Sequence, residues 1–218
     1  IKLPEGKYSS SIIAFENMIV FKISYTELMV WKYDPETKKG KARFHSFDFE
    51  IYHMTKVIYN GEECLAVNPL TSETVYYYTY EKILFLWYQF VEAGKSQVNG
   101  SDSGLDTSLK GIGQELYFKA KGGSWNDNYY YIRKVGSNER VKVSEYGNFA
   151  FLNDETLVII DQIYGIRGLY DRNLKRVGGF SLKDSECTNF YITNNYMVTT
   201  EFSSWSGNKY SVNFYRLV

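Results

Sequence analysis

Residues 149–182, FAFLNDETLVIIDQIYGIRGLYDRNLKRVGGFSL, contain the pattern that decides the fold of this chain. Short apolar runs alternate with turn-forming residues, and a run as continuous as Leu157–Ile160 suits a β-strand that is covered on both faces. The stretch predicts an inner strand at Phe149 to Leu152, a turn at Asn153 to Glu155, a second strand at Leu157 to Ile160, a loop opened by Gly165 to Gly168, the end of a third strand at Leu169 to Asp171, and an outer strand at Val177 to Leu182. Four such strands in chain order form one small sheet.

The same order of strands and turns occurs five times along the chain. Residues that tolerate a left-handed backbone precede each second strand, at Asn17, Asn60 with Gly61, Gly113, Asn153 with Asp154, and Asn194 with Asn195. Their spacing is about 40 residues, a period typical of β-propeller blades, and one interval is about ten residues longer. The excess predicts an inserted surface loop at about 94–108, a segment rich in Gly, Ser and Asp.

The two ends of the chain fit this repeat. The fifth repeat stops at Val218 after its third strand, and Ile1 to Leu3 precede the first repeat where an outer strand would lie. Pairing the two ends would leave no sheet edge open at that point. The sequence therefore predicts a single all-β domain over residues 1–218, a β-propeller of about five four-stranded blades closed by its N-terminal strand. An irregular β-sandwich is the alternative.

Composition supports strands and excludes two classes of partner. Aromatic residues make up 18% of the chain, with 21 Tyr and 14 Phe, and strands favour these side chains. Lys plus Arg and Asp plus Glu number 25 each, so no long-range field favours nucleic acid or an anionic membrane. The longest apolar run is far shorter than the roughly 20 residues that a transmembrane helix needs, so no membrane insertion is expected. Localisation stays open.

The predicted third strands end alike, in an aromatic residue followed by a charged one. The endings are Trp31 to Pro35, Tyr76 to Glu81, Tyr130 to Arg133, Tyr170 with Asp171, and Tyr215 with Arg216. This feature resembles the WD-repeat and YVTN-type propeller families, although the strict WD signature residues are absent. The resemblance implies a β-propeller.

A second resemblance covers about a third of the chain. The stretch Leu65 to Tyr78, with Pro69 in a turn before an aromatic strand, is similar to a repeat of the yellow and major-royal-jelly proteins. That resemblance implies a secreted propeller with a small-molecule site in its central channel. The chain is much shorter than those six-bladed domains and lacks their cysteine pattern, and no ligand role transfers to a residue here.

Two similar loops supply the candidate binding residues. Segments 124–129 and 204–210 each place a Trp among polar residues between a second and a third strand, and both would lie on one rim of a propeller. An indole offers a large apolar area together with a donor, which suits a sugar ring or a protein contact. The predicted binding residues are Trp125, Asn128, Trp205, Asn208 and, in the corresponding loop of the fourth repeat, Tyr164. Alternatively, each Trp folds down to fill the gap between adjacent blades.

Catalytic patterns are sparse. His45 and His53 are the only histidines, and no third ligand stands at a metal-like spacing from them, so a structural role is expected and no metal or cofactor is predicted. Asp34, Asp161 and Asp171 could serve a five-bladed glycosidase, which needs carboxylates that converge in the channel. Charges at strand ends more often accept hydrogen bonds in turns.

These observations favour a non-enzymatic recognition module that binds a protein or a glycan on the loop face of a propeller. Two alternatives stay open. The first is a glycoside-processing enzyme of the five-bladed type, with Asp161 as its candidate carboxylate. The second is a secreted small-ligand-binding propeller of the yellow-like kind.

Overall fold

The fold is entirely β within the part of the chain that the structure describes. This computed structural model describes residue 9 and residues 11–70, 72, 74–84, 87–97, 105–122, 129–182, 187–192, 196–203 and 209–216. These residues form nineteen strands and no helix. Accordingly, none of them belongs to a helix of the length and apolarity needed to cross a bilayer.

The strands form five antiparallel sheets whose members follow one another in chain order. The first sheet contains β1 (Ser11–Ala14), β2 (Met18–Lys22), β3 (Glu27–Asp34) and β4 (Lys39–Ser46). The second contains β5 (Ile51–Tyr59), β6 (Glu62–Pro69), β7 (Thr74–Leu84) and β8 (Trp87–Gln97). The third contains β9 (Leu105–Ile112), β10 (Glu115–Lys121), β11 (Tyr130–Lys134) and β12 (Arg140–Val143). The fourth contains β13 (Asn148–Asn153), β14 (Thr156–Asp161), β15 (Ile166–Asp171) and β16 (Arg176–Gly179). The fifth contains β17 (Cys187–Ile192), β18 (Tyr196–Ser203) and β19 (Lys209–Arg216).

This topology confirms the predicted five-bladed β-propeller. Each sheet is a meander without a crossover, whereas a β-sandwich of Greek-key type would pair strands that are distant in sequence. The alternative fold is therefore wrong. The fifth sheet has three described strands, as the sequence predicts. The proposed closing strand, Ile1 to Leu3, lies outside the described residues.

Three predicted boundaries need correction. Strand β15 already begins at Ile166, so Gly165 ends a four-residue turn rather than opening a loop that reaches Gly168. The outer strand β16 ends at Gly179, and Leu182 instead packs into an apolar cluster after the strand. The segment 94–108 contributes its first four residues to β8 and its last four to β9. Residues 98–104 lie outside the described residues. In the long interval between Asn60 and Gly113, strands β7 and β8 have 11 residues each.

The chain divides into two compact units. Unit 1 consists of Ile1–Asn99 and Ser108–Leu116, and unit 2 consists of Gly100–Thr107 and Tyr117–Val218. Unit 1 contains the first and second sheets, and unit 2 contains β11, β12 and the fourth and fifth sheets. The assignment of residues 1–218 to a single domain stays a prediction.

Each unit has its own apolar core, built between the faces of successive sheets. In unit 1 the core joins the first and second sheets, through Met18, Val20, Leu28, Val30, Ile51, Met54, Leu65, Val67 and Tyr78. In unit 2 it joins the fourth and fifth sheets, through Val158, Ile160, Leu182, Phe190 and Met197. The run Leu157–Ile160 is at most 3% exposed, which confirms that this strand is covered on both faces.

The turns before the second strands lie where the sequence predicts them, in the four repeats whose turn is described. Asn60 and Gly61 both have positive φ, of 51° and 87°, as a type I′ hairpin turn requires. Gly113 also has positive φ, of 54°. In the fourth sheet the turn is closed differently, because the Asn153 side-chain oxygen accepts a hydrogen bond from Glu155 N at 2.9 Å. The fifth turn, with Asn194 and Asn195, lies outside the described residues.

Candidate functional site

Each of the five second strands carries a buried polar side chain. These residues are Lys22, Asn68, Lys119, Asp161 and Thr199. Two of them, Lys22 and Asn68, donate hydrogen bonds to backbone carbonyls in unit 1. Lys22 Nζ donates to Tyr52 O at 3.2 Å, and Asn68 Nδ2 donates to the carbonyls of Ser72 and Thr74 at 2.9 and 3.0 Å. Since a buried polar group is costly unless it is bonded, the Lys22 contact stabilises the first sheet against β5, and the Asn68 contacts stabilise the turn between β6 and β7.

In unit 2 the Asp161 carboxylate joins two backbone segments. Its Oδ1 accepts from Ile163 N at 2.9 Å and from Tyr164 N at 3.2 Å, so it shapes the turn between β14 and β15. The same carboxylate accepts from Ser144 N, and from Ser144 Oγ at 2.9 Å, in the connection between β12 and β13. Asp161 is 1% exposed and therefore acts as a structural acceptor that holds both segments.

Lys119 also binds the connection between β12 and β13. Its buried ammonium donates to Glu145 O at 2.8 Å and to Gly147 O at 2.9 Å. These two carbonyls flank Tyr146, whose side chain is 66% exposed. Asp161 and Lys119 together hold the backbone on which the exposed Tyr146 is presented.

Next to these segments, tyrosine rings and cations alternate at the surface. Lys142 Nζ lies 4.2 Å from the ring centroid of Tyr129 and 5.8 Å from that of Tyr164. Arg140 Cζ lies 4.3 Å from the ring centroid of Tyr131. The rings of Tyr129 and Tyr131 meet edge to face at 5.4 Å. We call these five residues the tyrosine–cation patch.

Gly122 lies against two tyrosine rings of the patch. A Cβ atom there would lie 2.4 Å from Tyr129 Cε2 and 2.6 Å from Tyr131 Cε2, so both rings pack on the bare glycine backbone. Gly122 N also donates to Tyr129 O at 3.0 Å. This bond joins Gly122 to a residue of the patch through the backbone.

Of the five residues that the sequence predicts to bind, the structure describes one. Tyr164 is 45% exposed and belongs to the patch. Trp125, Asn128, Trp205 and Asn208 lie outside the described residues, and their role stays a prediction. Tyr129, which directly follows Asn128 in the chain, lies in the patch.

Sequence reasoning missed the cations of the patch. Arg140 and Lys142 stand two apart on β12, and Tyr131 is paired with Lys142 across the ladder between β11 and β12. The alternation in Arg140–Val143 could have indicated that both cations share one face of the strand. Only the packing of the fourth sheet brings Tyr164 to the same place.

Both histidines pack against aromatic rings. His45 Nε2 lies 3.0 Å from Tyr80 Oη, and its ring meets the rings of Tyr80 and Phe90 edge to face at 5.3 Å. Burial, with a smaller contribution from Arg43, lowers the pKa of His45. The ring of His53 packs against Tyr52 at 4.3 Å. No group of three His, Cys, Asp or Glu side chains in the described part of the chain is placed to hold a metal ion.

The carboxylates considered for a glycosidase act as turn acceptors. Asp34 accepts from Glu36 N and from Thr37, whose hydroxyl bond at 2.8 Å lowers the pKa of Asp34. Asp171 accepts from the amides of Asn173 and Lys175, both at 2.9 Å. Asp161 and Asp171 lie at opposite ends of the β14–β15 hairpin, five ladder positions apart, which is about 16 Å at 3.3 Å per residue. That separation exceeds the roughly 5–9.5 Å between the paired carboxyl groups of glycosidases.

Comparison with known proteins shows the fold and no closer kinship. No protein-family model and no curated protein sequence matches the chain. Among solved structures, a chain in the crystal structure of the mitotic checkpoint complex matches with a TM-score of 0.53 and 12% sequence identity, over 100% of this chain and 68% of that one. Together with the five meander sheets, this likeness establishes a β-propeller. Kinship with the WD-repeat, YVTN-type or yellow families stays a prediction.

Proposed function

We propose that the chain is a protein-recognition module that binds its partner through the tyrosine–cation patch. The observation that carries this proposal is the exposure of Arg140 and Lys142 on tyrosine rings. Neither cation has a carboxylate within ion-pair distance among the residues that the structure describes. Aromatic side chains and Arg are enriched in protein interfaces, where they supply much of the binding energy.

Exposed apolar side chains beside the patch favour a protein over a glycan. Ile163 is 61% exposed and Tyr146 is 66% exposed, and both lie on the segments that Asp161 holds. A sugar ring stacks on an aromatic face, whereas an exposed isoleucine gains most by burial against apolar protein surface. The fold likeness to a chain of the mitotic checkpoint complex, which is an assembly of proteins, agrees with this choice.

The proposal extends to Trp125 and Asn128. Gly122 and Tyr129 flank the segment 123–128, and Gly122 N donates a hydrogen bond to Tyr129 O beside the patch. A tryptophan in this segment would enlarge the apolar area that a partner can bury. Trp205 and Asn208 belong to the corresponding segment of the fifth repeat. This correspondence is the reason that they stay candidate binding residues.

The test compares three forms of the protein. The patch variant combines Lys142→Glu with Tyr164→Ser, and the control variant combines Lys175→Glu with Val177→Ser, which are exposed positions outside the patch. Each form is immobilised, and the proteins that it captures from an extract are quantified by mass spectrometry. Purified candidates are then titrated against all three forms by calorimetry.

We expect a partner that binds the wild type and the control equally and the patch variant at least about tenfold more weakly, because hot-spot truncations cost about 1.4 kcal/mol or more. Equal affinity for all three forms would reject the patch as the site. A glycan array probed with the same proteins distinguishes the alternative, since glycan binding that only the patch variant loses would identify a lectin.

A further inference from the structure

A second surface, in unit 1, carries positive charge along a strand whose outer edge has no partner among the described strands. Strand β4 is the last strand of the first sheet and pairs only with β3 among the described strands. Lys39, Lys41 and Arg43 alternate along it and therefore point to one face. On the neighbouring strand, Lys32 stands directly opposite Lys41.

The pairing of Lys32 with Lys41 opposes like charges across the ladder, an arrangement that destabilises a sheet. None of the four cations has a carboxylate within ion-pair distance in the described part of the chain. Asp34 stands opposite Lys39, and the charge of Lys41 helps to lower the pKa of Asp34, so this carboxylate offsets part of the positive charge. Four cations share this face with one carboxylate, and the face therefore keeps an excess of positive charge.

An aromatic platform borders the same cations. Lys32 Nζ lies 4.0 Å and Arg43 Cζ lies 5.7 Å from the ring centroid of Tyr88 on β8. The Tyr88 ring stacks on Tyr80 at 5.6 Å, and Tyr80 Oη is within 3.0 Å of His45 Nε2. These contacts hold Tyr88 in place between the cations of the first sheet.

From this arrangement we propose that β4 binds an acidic, extended segment of a partner protein, which adds to the first sheet as a further strand beside the cations of Lys32, Lys39, Lys41 and Arg43. Alternate side chains of an extended peptide recur about every 6.6 Å, the same spacing as Lys39, Lys41 and Arg43 on β4. Carboxylates at every second position of the peptide therefore match the three cations in register. The backbone of β4 supplies hydrogen bonds on its outer edge, as in other complexes formed by strand addition.

The charge of the whole chain favours a peptide over a nucleic acid. Lys plus Arg balances Asp plus Glu at 25 each, so no broad positive field surrounds the protein. The cations of β4 act within a screening length of about 8 Å at physiological salt, which suits a short peptide held close to the strand. This inference is independent of the function proposed for the patch in unit 2.

Lysines on edge strands also serve a simpler purpose, since they discourage sheet-to-sheet aggregation. Lys95 provides the matched control, because it is exposed on β8, the last strand of the second sheet, and has no cation opposite it. A purely protective role predicts that Lys41→Glu and Lys95→Glu have the same effect on ligand binding.

The probe is a fluorescein-labelled nonapeptide of alternating glutamate and valine, titrated by fluorescence anisotropy at 50 and 300 mM salt. We expect Lys41→Glu to weaken binding about fivefold or more and Lys95→Glu to change it less than twofold. Tyr88→Leu should also weaken binding, and a peptide with proline at two valine positions should bind poorly because it lacks the donors for strand pairing. Circular dichroism checks that every variant is folded.

Three outcomes would overturn the proposal. The first is no measurable binding of the alternating peptide at 50 mM salt. The second is equal weakening by Lys41→Glu and Lys95→Glu, or equal affinity for the proline peptide, which would indicate unspecific charge attraction. The third is tighter binding of a single-stranded oligonucleotide or a sulfated polysaccharide that also depends on Lys41, which would identify a general polyanion site.

Discussion

Asp161 links the stability of unit 2 to the presentation of its surface residues. A buried carboxylate that accepts four hydrogen bonds holds both the Tyr164 turn and the segment that carries Tyr146. The exposed residues therefore depend on a side chain that is itself 1% exposed. This dependence makes Asp161 a positioning residue.

Asp161→Asn should lower the free energy of unfolding by about 2–3 kcal/mol, because an amide keeps one acceptor and turns a donor toward the Ser144 N–H. Urea denaturation measures the change. Asp171→Asn is the control, since one oxygen of Asp171 accepts both turn amides and an asparagine retains that oxygen. A stable Asp161→Asn variant would contradict the structural role.

His45 introduces a pH dependence in unit 1. Burial, aided by Arg43, holds the pKa of His45 below its ordinary value of about 6.5. Between the lowered and the ordinary pKa the unfolded chain binds more protons than the folded one, so the free energy of unfolding rises with pH. This contribution is complete above about pH 6.5 and is lost as the pH falls.

We therefore expect the stability of the wild type to fall between pH 7 and pH 5 and that of His45→Gln to fall less steeply. Urea midpoints measured at half-unit intervals of pH give the two slopes. Identical slopes would show that His45 does not titrate differently in the folded and unfolded states.

The hairpins show how far the sequence determines the strands. Asn60, Gly61 and Gly113 mark turns by their tolerance of positive φ, which is a local property, and the four described turns were predicted in place. The sequence predicts a loop for the extra length between Asn60 and Gly113, because the mixed run Tyr76 to Leu84 does not show that β7 continues to eleven residues. Strand length depends on the partner strand, which a local pattern does not contain.

The β5–β6 hairpin offers a direct test of this local control. Gly61 has a φ of 87°, so Gly61→Ala places a Cβ atom in an unfavourable backbone region and should cost about 1–2 kcal/mol. Asn60→Gly should change stability by less than that, since glycine adopts the φ of 51° at position 60 readily. Thermal unfolding of both variants measures the two changes in stability. Equal losses of stability would show that the positive φ of Gly61 does not contribute to the stability of the hairpin.

The candidate site was harder to predict than the strands. The period of the repeats predicts Tyr164 as a candidate, because its loop corresponds to the Trp125 loop of the preceding repeat. The contacts of Lys142 with Tyr129 and Tyr164 join three separate parts of the chain, which are β12, the residue before β11 and the β14–β15 turn. Such a cluster forms through packing between sheets, so it cannot be predicted from the spacing of residues in the sequence.

The largest feature that the sequence predicts is one cooperative domain over residues 1–218. Five repeats of one pattern support it, while the chain also divides into two compact units, each with its own core. Calorimetry separates the two possibilities, because a single domain unfolds in one transition whose calorimetric and van't Hoff enthalpies agree. For a chain of this length we expect one transition with an enthalpy of roughly 150 kcal/mol near 60 °C.

A pair of matched core substitutions makes this test sharper. Ile51 and Ile159 are both 0% exposed, one in unit 1 and the other in unit 2. Each change to valine removes one buried methyl group and should cost about 0.5–1.5 kcal/mol. If the chain unfolds as one domain, Ile51→Val and Ile159→Val each move the whole transition to lower temperature by a few degrees. If the units unfold separately, each substitution moves only one part of the transition, and the single-domain prediction is wrong.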